Sequence, residues 1–159
     1  MNTQTHISLK KCRKILASVP LAWFLTQPIP VSARTLANGI STGTTSQGAK
    51  FMSGGVGLGE RQKMLGMAPD YDLKLSFANR RGHYLSDVNV SVTDEDGKQV
   101  LNTVTAGPWL YVSLPPGKYD VKATYDHRTE EIKDLQVSHG YLATRLMHWN
   151  IADQQLSQK

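Results

Sequence analysis

The chain has 159 residues, enough for one domain with some extra length, and 40% of them are hydrophobic. Its 18 Lys and Arg residues outnumber its 13 Asp and Glu residues, which gives a formal net charge of +5. Four of the basic residues and none of the acidic ones lie in residues 1–33, so residues 34–159 carry only +1. This balance leaves no electrostatic case for nucleic-acid binding.

The first 33 residues follow the order of a secretory signal peptide. The basic cluster Lys10–Lys14 precedes an apolar run of 11 residues, Ile15–Leu25, and two prolines and a small-residue stretch follow. This order predicts cleavage between Ala33 and Arg34. An uncleaved membrane anchor is the alternative, but the run is too short to span a bilayer, and Pro20 interrupts it. The sequence therefore predicts a periplasmic or secreted protein without a stable membrane span after cleavage.

The single cysteine, Cys12, lies ahead of the apolar run, so it is not placed for lipidation. If cleavage occurs, the mature chain has no cysteine. It then has no disulfide, no thiol nucleophile and no thiolate ligand for a metal.

The region before residue 71 carries little strand pattern. Residues 34–50 are rich in Thr, Ser and Gly, which predicts a flexible leader. In residues 51–70, the glycine-rich stretch Phe51–Gly59 precedes a short predicted helix over Glu60–Met67, which Pro69 ends.

From Tyr71 the hydrophobic pattern changes to a period of two, and short strand-like runs are separated by turn residues. Two of these runs flank the stretch Leu114–Tyr119, in which Pro-Pro-Gly stops one strand and starts the next. The predicted domain covers residues 71–150, and residues 151–159 are a polar tail. The seven predicted strands cover Leu73–Phe77, Val88–Val92, Val100–Val104, Trp109–Leu114, Tyr119–Tyr125, Thr129–Val137 and Leu142–Trp149. The fold class is all-β, a seven-stranded antiparallel β-sandwich.

One stretch carries a family resemblance. The alternating valines of Asp87–Val92 lead through Asp96-Gly97 and Gly107 to the run Leu114–Val121, Leu-Pro-Pro-Gly-Lys-Tyr-Asp-Val. This resembles the carboxypeptidase regulatory-like domain, a transthyretin-like (prealbumin-like) β-sandwich, as a bacterial exported stand-alone member. The resemblance covers residues 71–149. It implies the fold, but it assigns no chemistry, because such domains are mostly non-catalytic.

Trp109 and Tyr111 share one face of a predicted strand, and Leu110, Val112 and Leu114 share the other. If the aliphatic face is core, the two rings form an exposed pair that binds a sugar or a protein side chain. Alternatively, Trp109 caps the end of the sandwich.

Other candidate chemistry has weaker signals. The glycines of Gly54–Gly59 suggest a phosphate cradle, but no strand-loop-helix motif with a following Lys-Ser or Lys-Thr surrounds them. The acidic residues look like solvated charges of turns and an edge strand. Four histidines offer metal ligands, but without a ligand spacing: His83, His127, His139 and His148. The acidic candidates for hydrolysis are Asp94, Glu95, Asp96, Glu130 and Glu131.

These observations predict an exported, non-enzymatic module that binds a protein or glycan of the cell envelope. They assign no catalytic residue, no metal and no cofactor. A small metal-dependent or carboxylate-based enzyme is the alternative. The two hypotheses differ in one structural requirement, because an enzyme needs several polar side chains to converge in one concavity.

Overall fold

The computed structural model describes residues 32–35 and 39–151. One helix and a short 3-10 turn, Ala68–Asp70, separate three N-terminal strands from seven later ones. In chain order the elements are β1 (Ser32–Thr35), β2 (Ser41–Thr44), β3 (Lys50–Gly54), α1 (Leu58–Met67), β4 (Leu73–Asn79), β5 (Asn89–Asp94), β6 (Gln99–Val104), β7 (Trp109–Val112), β8 (Gly117–Tyr125), β9 (Arg128–Val137) and β10 (Ala143–Trp149).

The strands form two sheets. Sheet A has six strands in the order β1-β2-β3-β7-β4-β10, and sheet B has four in the order β6-β5-β8-β9. In sheet A, Leu75 of β4 lies opposite Leu110 of β7, and in sheet B, Val92 lies opposite Val121. These buried pairs follow from the period-two pattern, because alternate residues of a strand point to the same side of the sheet.

The main hydrophobic core lies between the two sheets. Leu75, Phe77 and Leu110 enter it from sheet A, and Val90 and Val121 enter it from sheet B. All five side chains are completely buried. The molecule is therefore a β-sandwich, as the sequence predicted.

A second, smaller core lies on the outer side of sheet A, beneath α1. Met64 of the helix packs there with Met52 of β3 and Tyr111 of β7, and all three side chains are completely buried. The helix thus covers the β3–β7 part of sheet A. Within residues 32–35 and 39–151, no helix covers the outward side of β4 and β10 in this way.

The strand pattern differs from the prediction in two respects. All seven predicted strands are present, but β1, β2 and β3 extend sheet A. The sandwich is also not purely antiparallel, because β10 pairs in parallel with β4. Such a pair needs a long crossover, and the whole of sheet B supplies it between the two strands.

The predicted leader, residues 34–50, contains β2 and a turn in which Thr45 is buried. This part is ordered because β2 pairs along β3, which carries the buried side chains Phe51 and Met52. Ala33 and Arg34 lie in β1. Most of the predicted signal peptide, residues 1–31, and the polar tail after Ile151 lie outside the described residues. Signal cleavage therefore stays a prediction.

Candidate functional site

Trp109 and Tyr111 lie on the outer side of sheet A, whereas Leu110 and Val112 of the same strand belong to the main core. The predicted division of β7 into two faces is therefore confirmed. The prediction of an exposed aromatic pair is wrong for Tyr111, because α1 lies over it and its side chain is 0% exposed. Trp109 is half-buried at the border of the helix.

The segment that leads into α1 is fixed by two side chains of the helix's first turns. The Glu60 carboxylate accepts hydrogen bonds from the backbone N–H groups of Gly55 and Val56, both at 3.0 Å. Arg61 donates from Nε to the Gly55 carbonyl at 2.7 Å. The phosphate cradle that the glycines suggested, and that the sequence context disfavoured, is thus occupied by the protein's own carboxylate, which accepts from the donors that a phosphate would need.

The backbone of this segment lies close against the Trp109 ring. Gly55 has a φ of +88°, and a Cβ atom on it would lie 3.1 Å from the Trp109 ring. Gly107 approaches Gly54 still more closely, because a Cβ there would lie 2.5 Å from the Gly54 carbonyl oxygen. These two positions require glycine for lack of space and, at Gly55, for backbone conformation as well.

Two cations meet the ring of Trp109. The Lys74 ammonium lies 3.8 Å from its centre and 5.3 Å from the centre of the Tyr111 ring. The Arg61 guanidinium lies 5.4 Å from the Trp109 ring and 4.8 Å from that of Tyr84. All four distances fall within the range of cation–π attraction. These five residues, Arg61, Lys74, Tyr84, Trp109 and Tyr111, form what we call the aromatic–cation cluster.

The two cations have no acidic partner within salt-bridge distance in the described part of the chain. Burial lowers the pKa of Lys74, because the protein removes water from its charged form without supplying a carboxylate. Among the described residues, the two positive charges of the cluster thus have no carboxylate within salt-bridge distance, and Arg61 instead donates to the Gly55 carbonyl.

Exposed apolar side chains surround this cluster. Leu58, Arg61 and Leu65 follow one another three and four residues apart, so they lie along one side of α1. Arg61 reaches Trp109 and Tyr84, so this side borders the uncovered part of sheet A. There, Leu146 points outward from β10, next to Ser76 of β4 in register.

We call this surface the open face. It consists of the α1 side with Leu58, Arg61 and Leu65, the outward residues Lys74 and Leu146, and the rings of Tyr84 and Trp109. Leu58 is 79% exposed, and Leu65, Tyr84 and Leu146 are each about half exposed. Among the described residues, the exposed large hydrophobic side chains are Val56, Leu58, Leu65, Tyr84, Val104, Tyr141 and Leu146. All of these except Val104, on β6, lie on or beside the open face.

A cavity continues the open face past the end of α1. Its volume is about 580 Å³, and Leu65 and Pro69 line one side of it, opposite Tyr141 and Leu142. Tyr71 also lines it, with a pKa raised by burial and by the neighbouring charge of Asp70. Most of the lining is apolar, so the cavity extends the apolar part of the surface, and Asp72 and His139 are its polar lining residues besides the two tyrosines.

The four histidines are distributed over the molecule. His83 follows β4 and His127 lies in the β8–β9 turn at one end of the sandwich, whereas His139 lies in the β9–β10 connection at the other end. His148 is on β10. Within residues 32–35 and 39–151, no three His, Cys, Asp or Glu side chains come together where they would hold a metal ion.

Two of the acidic candidates have structural partners. Asp94 accepts backbone hydrogen bonds from Asp96 and Lys98 and so shapes the β5–β6 turn. Glu131 forms an ion pair with Lys122 across β8 and β9 at 3.6 Å.

The Pro-Pro-Gly turn also has a structural role. The Tyr119 hydroxyl donates to the Pro115 carbonyl at 2.8 Å, and the Asp72 carboxylate accepts from the Leu114 N–H at 3.0 Å. These bonds fix the end of β7 to the starts of β4 and β8. Burial, and then the charges of Asp94, Asp72 and Glu95, raise the pKa of Tyr119.

Comparison with known proteins adds no relative: no protein-family model, no curated protein and no solved structure matches the chain. In the described part of the chain, no helix has the length and apolar character needed to cross a membrane. Sequence reasoning had missed Arg61, Lys74, Tyr84 and Leu146. The outward position of Lys74 on a period-two strand was readable, but the helix that brings Arg61 to Trp109 was not.

Proposed function

We propose that this protein is an exported, non-enzymatic β-sandwich module that binds an acidic partner protein of the cell envelope on its open face. Export follows from the signal-peptide pattern before Arg34, and the module type follows from the resemblance to the carboxypeptidase regulatory-like domain. The observation that carries the binding proposal is the pair of cations, Arg61 and Lys74, which lie over the Trp109 ring with no carboxylate of the described residues within salt-bridge distance.

The composition of the open face favours a protein over a glycan. Arg, Trp and Tyr are the residues that most often dominate protein interfaces, and exposed apolar patches mark such interfaces. Leu58, Leu65 and Leu146 add aliphatic surface, which sugars do not stack on. The Trp109 ring already contacts Lys74, Arg61 and Gly55, so less of it remains for a sugar ring.

The positive charge of the open face indicates that the partner is acidic. A carboxylate from the partner would meet Arg61 and Lys74 near the centre of the patch, where the surrounding leucines exclude water and strengthen the attraction. An acidic partner thus gains an interaction that a neutral or basic partner does not. For the metal-dependent form of the enzyme alternative, no three His, Cys, Asp or Glu side chains of the described residues come together where they would hold a metal ion.

Site-specific photo-cross-linking in intact cells tests this proposal. A photoreactive amino acid replaces Tyr84 or Leu146 on the open face, and Glu130, exposed on β9, serves as the control position. We expect one acidic protein to be captured from both open-face positions and not from position 130. Equal capture from all three positions, or capture of glycan alone, would contradict the proposal.

Charge reversal then tests the role of the cations with the captured partner. R61E together with K74E should abolish capture and solution binding. K63E together with K133E changes the net charge equally at exposed positions outside the cluster and should leave binding intact. A partner that binds both double variants equally would show that charge on the open face does not select it.

A further inference from the structure

A second surface, on the far side of the sandwich, presents a sheet edge without charged residues. Sheets A and B end in the strands β1, β10, β9 and β6. The residues of β1 include Arg34, those of β10 include Arg145, and β9 carries charges along much of its length, among them Glu130 and Lys133. The sequence of β6, Gln-Val-Leu-Asn-Thr-Val, has no charge, no Pro and no Gly.

Charged side chains, prolines and β-bulges are the usual protection of edge strands against pairing with another chain. β6 has a bulge near its start, where Val92 and Thr93 of β5 lie opposite Leu101 and Gln99. Among the edges of the described sheets, it alone has no charged residue. The side of β6 that faces away from the core is also neutral, because Asn102 and Val104 lie there beside Ser91 and Asn89 of β5. Val104 is 58% exposed, although it is a large hydrophobic residue outside the open face.

The hydrogen-bond alternation of β5 and β6 shows which backbone groups are free. The Thr105 N–H donates to the Val88 carbonyl, just beyond the opposed residues Asn89 and Val104. In a pair of antiparallel strands, hydrogen-bonded and non-hydrogen-bonded residue pairs alternate. Val88 and Thr105 are a bonded pair, so the neighbouring residues Asn89 and Val104 do not hydrogen-bond to each other. The N–H and C=O groups of Val104 and, two residues earlier, of Asn102 therefore point to the free edge. Among the described residues, the hydrogen-bond partner of the Val104 carbonyl is the Thr103 hydroxyl, at a long distance of 3.5 Å.

We propose that β6 pairs antiparallel with β6 of a second copy of this chain, about a two-fold axis near Asn102, so that two B sheets form one continuous sheet. The neutrality of β6 makes a second copy of the chain a suitable occupant. A two-fold axis brings each central residue close to its own copy, so a charged central residue would face a like charge. The centre of β6 has no charged residue, whereas most of the central residues of β9 are charged. The proposal does not depend on the function proposed for the open face.

Sedimentation velocity of the mature chain over a wide concentration range tests the proposal. We expect a reversible dimer. Asn102→Pro removes one backbone donor from each copy at the free edge and leaves the bonds to β5 in place. The dissociation constant should rise roughly thirtyfold, the loss expected from two backbone hydrogen bonds. Asn102→Ser keeps the backbone donor and should dimerise like the wild type.

Amide hydrogen exchange gives a second readout that does not depend on the proline variant. The N–H groups of Asn102 and Val104 should be protected at high protein concentration and exchange fast at low concentration, while those of Leu101 and Thr103 stay protected at both. A chain that is monomeric throughout, or a dimer in which Asn102 and Val104 exchange freely, would overturn the proposal. So would a folded Asn102→Pro variant that dimerises as tightly as the wild type.

Discussion

The ammonium nitrogen of Lys74 lies 3.8 Å from the centre of the Trp109 indole ring. The two residues belong to neighbouring strands of sheet A, and Lys74 stands directly opposite Tyr111 in the register. This placement half-buries a lysine among aromatic rings, with no carboxylate within salt-bridge distance among the described residues. Attraction to the ring faces offsets part of the cost of removing water from the charge.

We expect Lys74 to titrate below the ordinary lysine value of 10.5, because burial lowers its pKa. In the unfolded chain its pKa is ordinary. Below the folded pKa both states are protonated, and the cost of burying the charge is fully present. As pH rises through the folded pKa towards 10.5, the unfolded state holds more protons, so the contribution of Lys74 to the free energy of unfolding rises.

NMR titration of the lysine side-chain resonances measures this pKa directly. Lys74→Met removes the titration and keeps much of the apolar stem. The difference in the free energy of unfolding between wild type and Lys74→Met should shift in favour of the wild type as pH rises from neutral to 10.5. A constant difference, with an ordinary pKa for Lys74, would contradict the prediction.

Removal of the Tyr111 hydroxyl should stabilise the protein. The hydroxyl is buried beneath α1 and has no hydrogen-bond partner within the described part of the chain. An unpaired buried hydroxyl costs free energy because it has left its hydrogen bonds with water. We expect Tyr111→Phe to raise the free energy of unfolding by about 1 kcal/mol, measured by urea denaturation.

Tyr119→Phe is the matched control for this change. Its hydroxyl donates to the Pro115 carbonyl, so its loss should lower the free energy of unfolding by about 1 kcal/mol. The two variants remove the same atom from buried tyrosines and should change the free energy of unfolding in opposite directions. Destabilisation by Tyr111→Phe would indicate that its hydroxyl does have a partner.

The sequence predicted the strands of residues 71–149 because most of them alternate apolar and polar residues against one core, and turn residues separate them. It missed β2 because Ser41–Thr44 has no large apolar side chain, and β3 because its Phe51 and Met52 are buried on opposite sides of sheet A. The period of two also correctly predicted that Trp109 and Tyr111 lie on the same side of β7. It did not reveal that α1 covers Tyr111, because a helix with one buried residue, Met64, leaves little amphipathic pattern.

The open face was beyond the reach of the sequence for a related reason. Arg61 and Lys74 are 13 positions apart and belong to a helix and a strand, and only their packing on Trp109 brings them together. The parallel pairing of β4 with β10, which places Leu146 beside this cluster, joins strands about 70 residues apart in the chain. No local pattern encodes such long-range placement, since each strand alone is compatible with several neighbours.

Alanine substitutions at two glycines should have opposite effects on stability. At Gly107, a Cβ atom would lie 2.5 Å from the Gly54 carbonyl oxygen, and both partners are backbone. One of the two backbone segments must therefore move, and we expect Gly107→Ala to lower the free energy of unfolding by about 3 kcal/mol. At Gly66, in α1, no atom lies within 4 Å of the added carbon. Gly66→Ala should raise the free energy of unfolding by about 0.5 kcal/mol, because alanine favours the helix.

Thermal or urea denaturation of the two alanine variants compares them directly. Trp109 lies two residues after Gly107, so its fluorescence should also change in Gly107→Ala and stay constant in Gly66→Ala. A Gly107→Ala variant as stable as the wild type would show that β3 and the segment before β7 are farther apart than the structure places them.

Glu60 should control the order of the segment between β3 and α1. Its carboxylate accepts the N–H groups of Gly55 and Val56 near the positive end of α1, so it fixes the loop that packs on Trp109. We expect Glu60→Ala to lower the free energy of unfolding by about 2 kcal/mol, the value of hydrogen bonds to a charged acceptor.

Amide exchange at Gly55 and Val56 should accelerate far more than exchange in β5 and β8. Glu60→Gln keeps one acceptor oxygen, so its free energy of unfolding and its exchange rates should lie between those of the wild type and Glu60→Ala. Glu130→Ala, on the exposed strand β9, should leave both measurements unchanged. Slow exchange at Gly55 and Val56 in Glu60→Ala would mean that the packing on Trp109, and not the carboxylate, holds the loop.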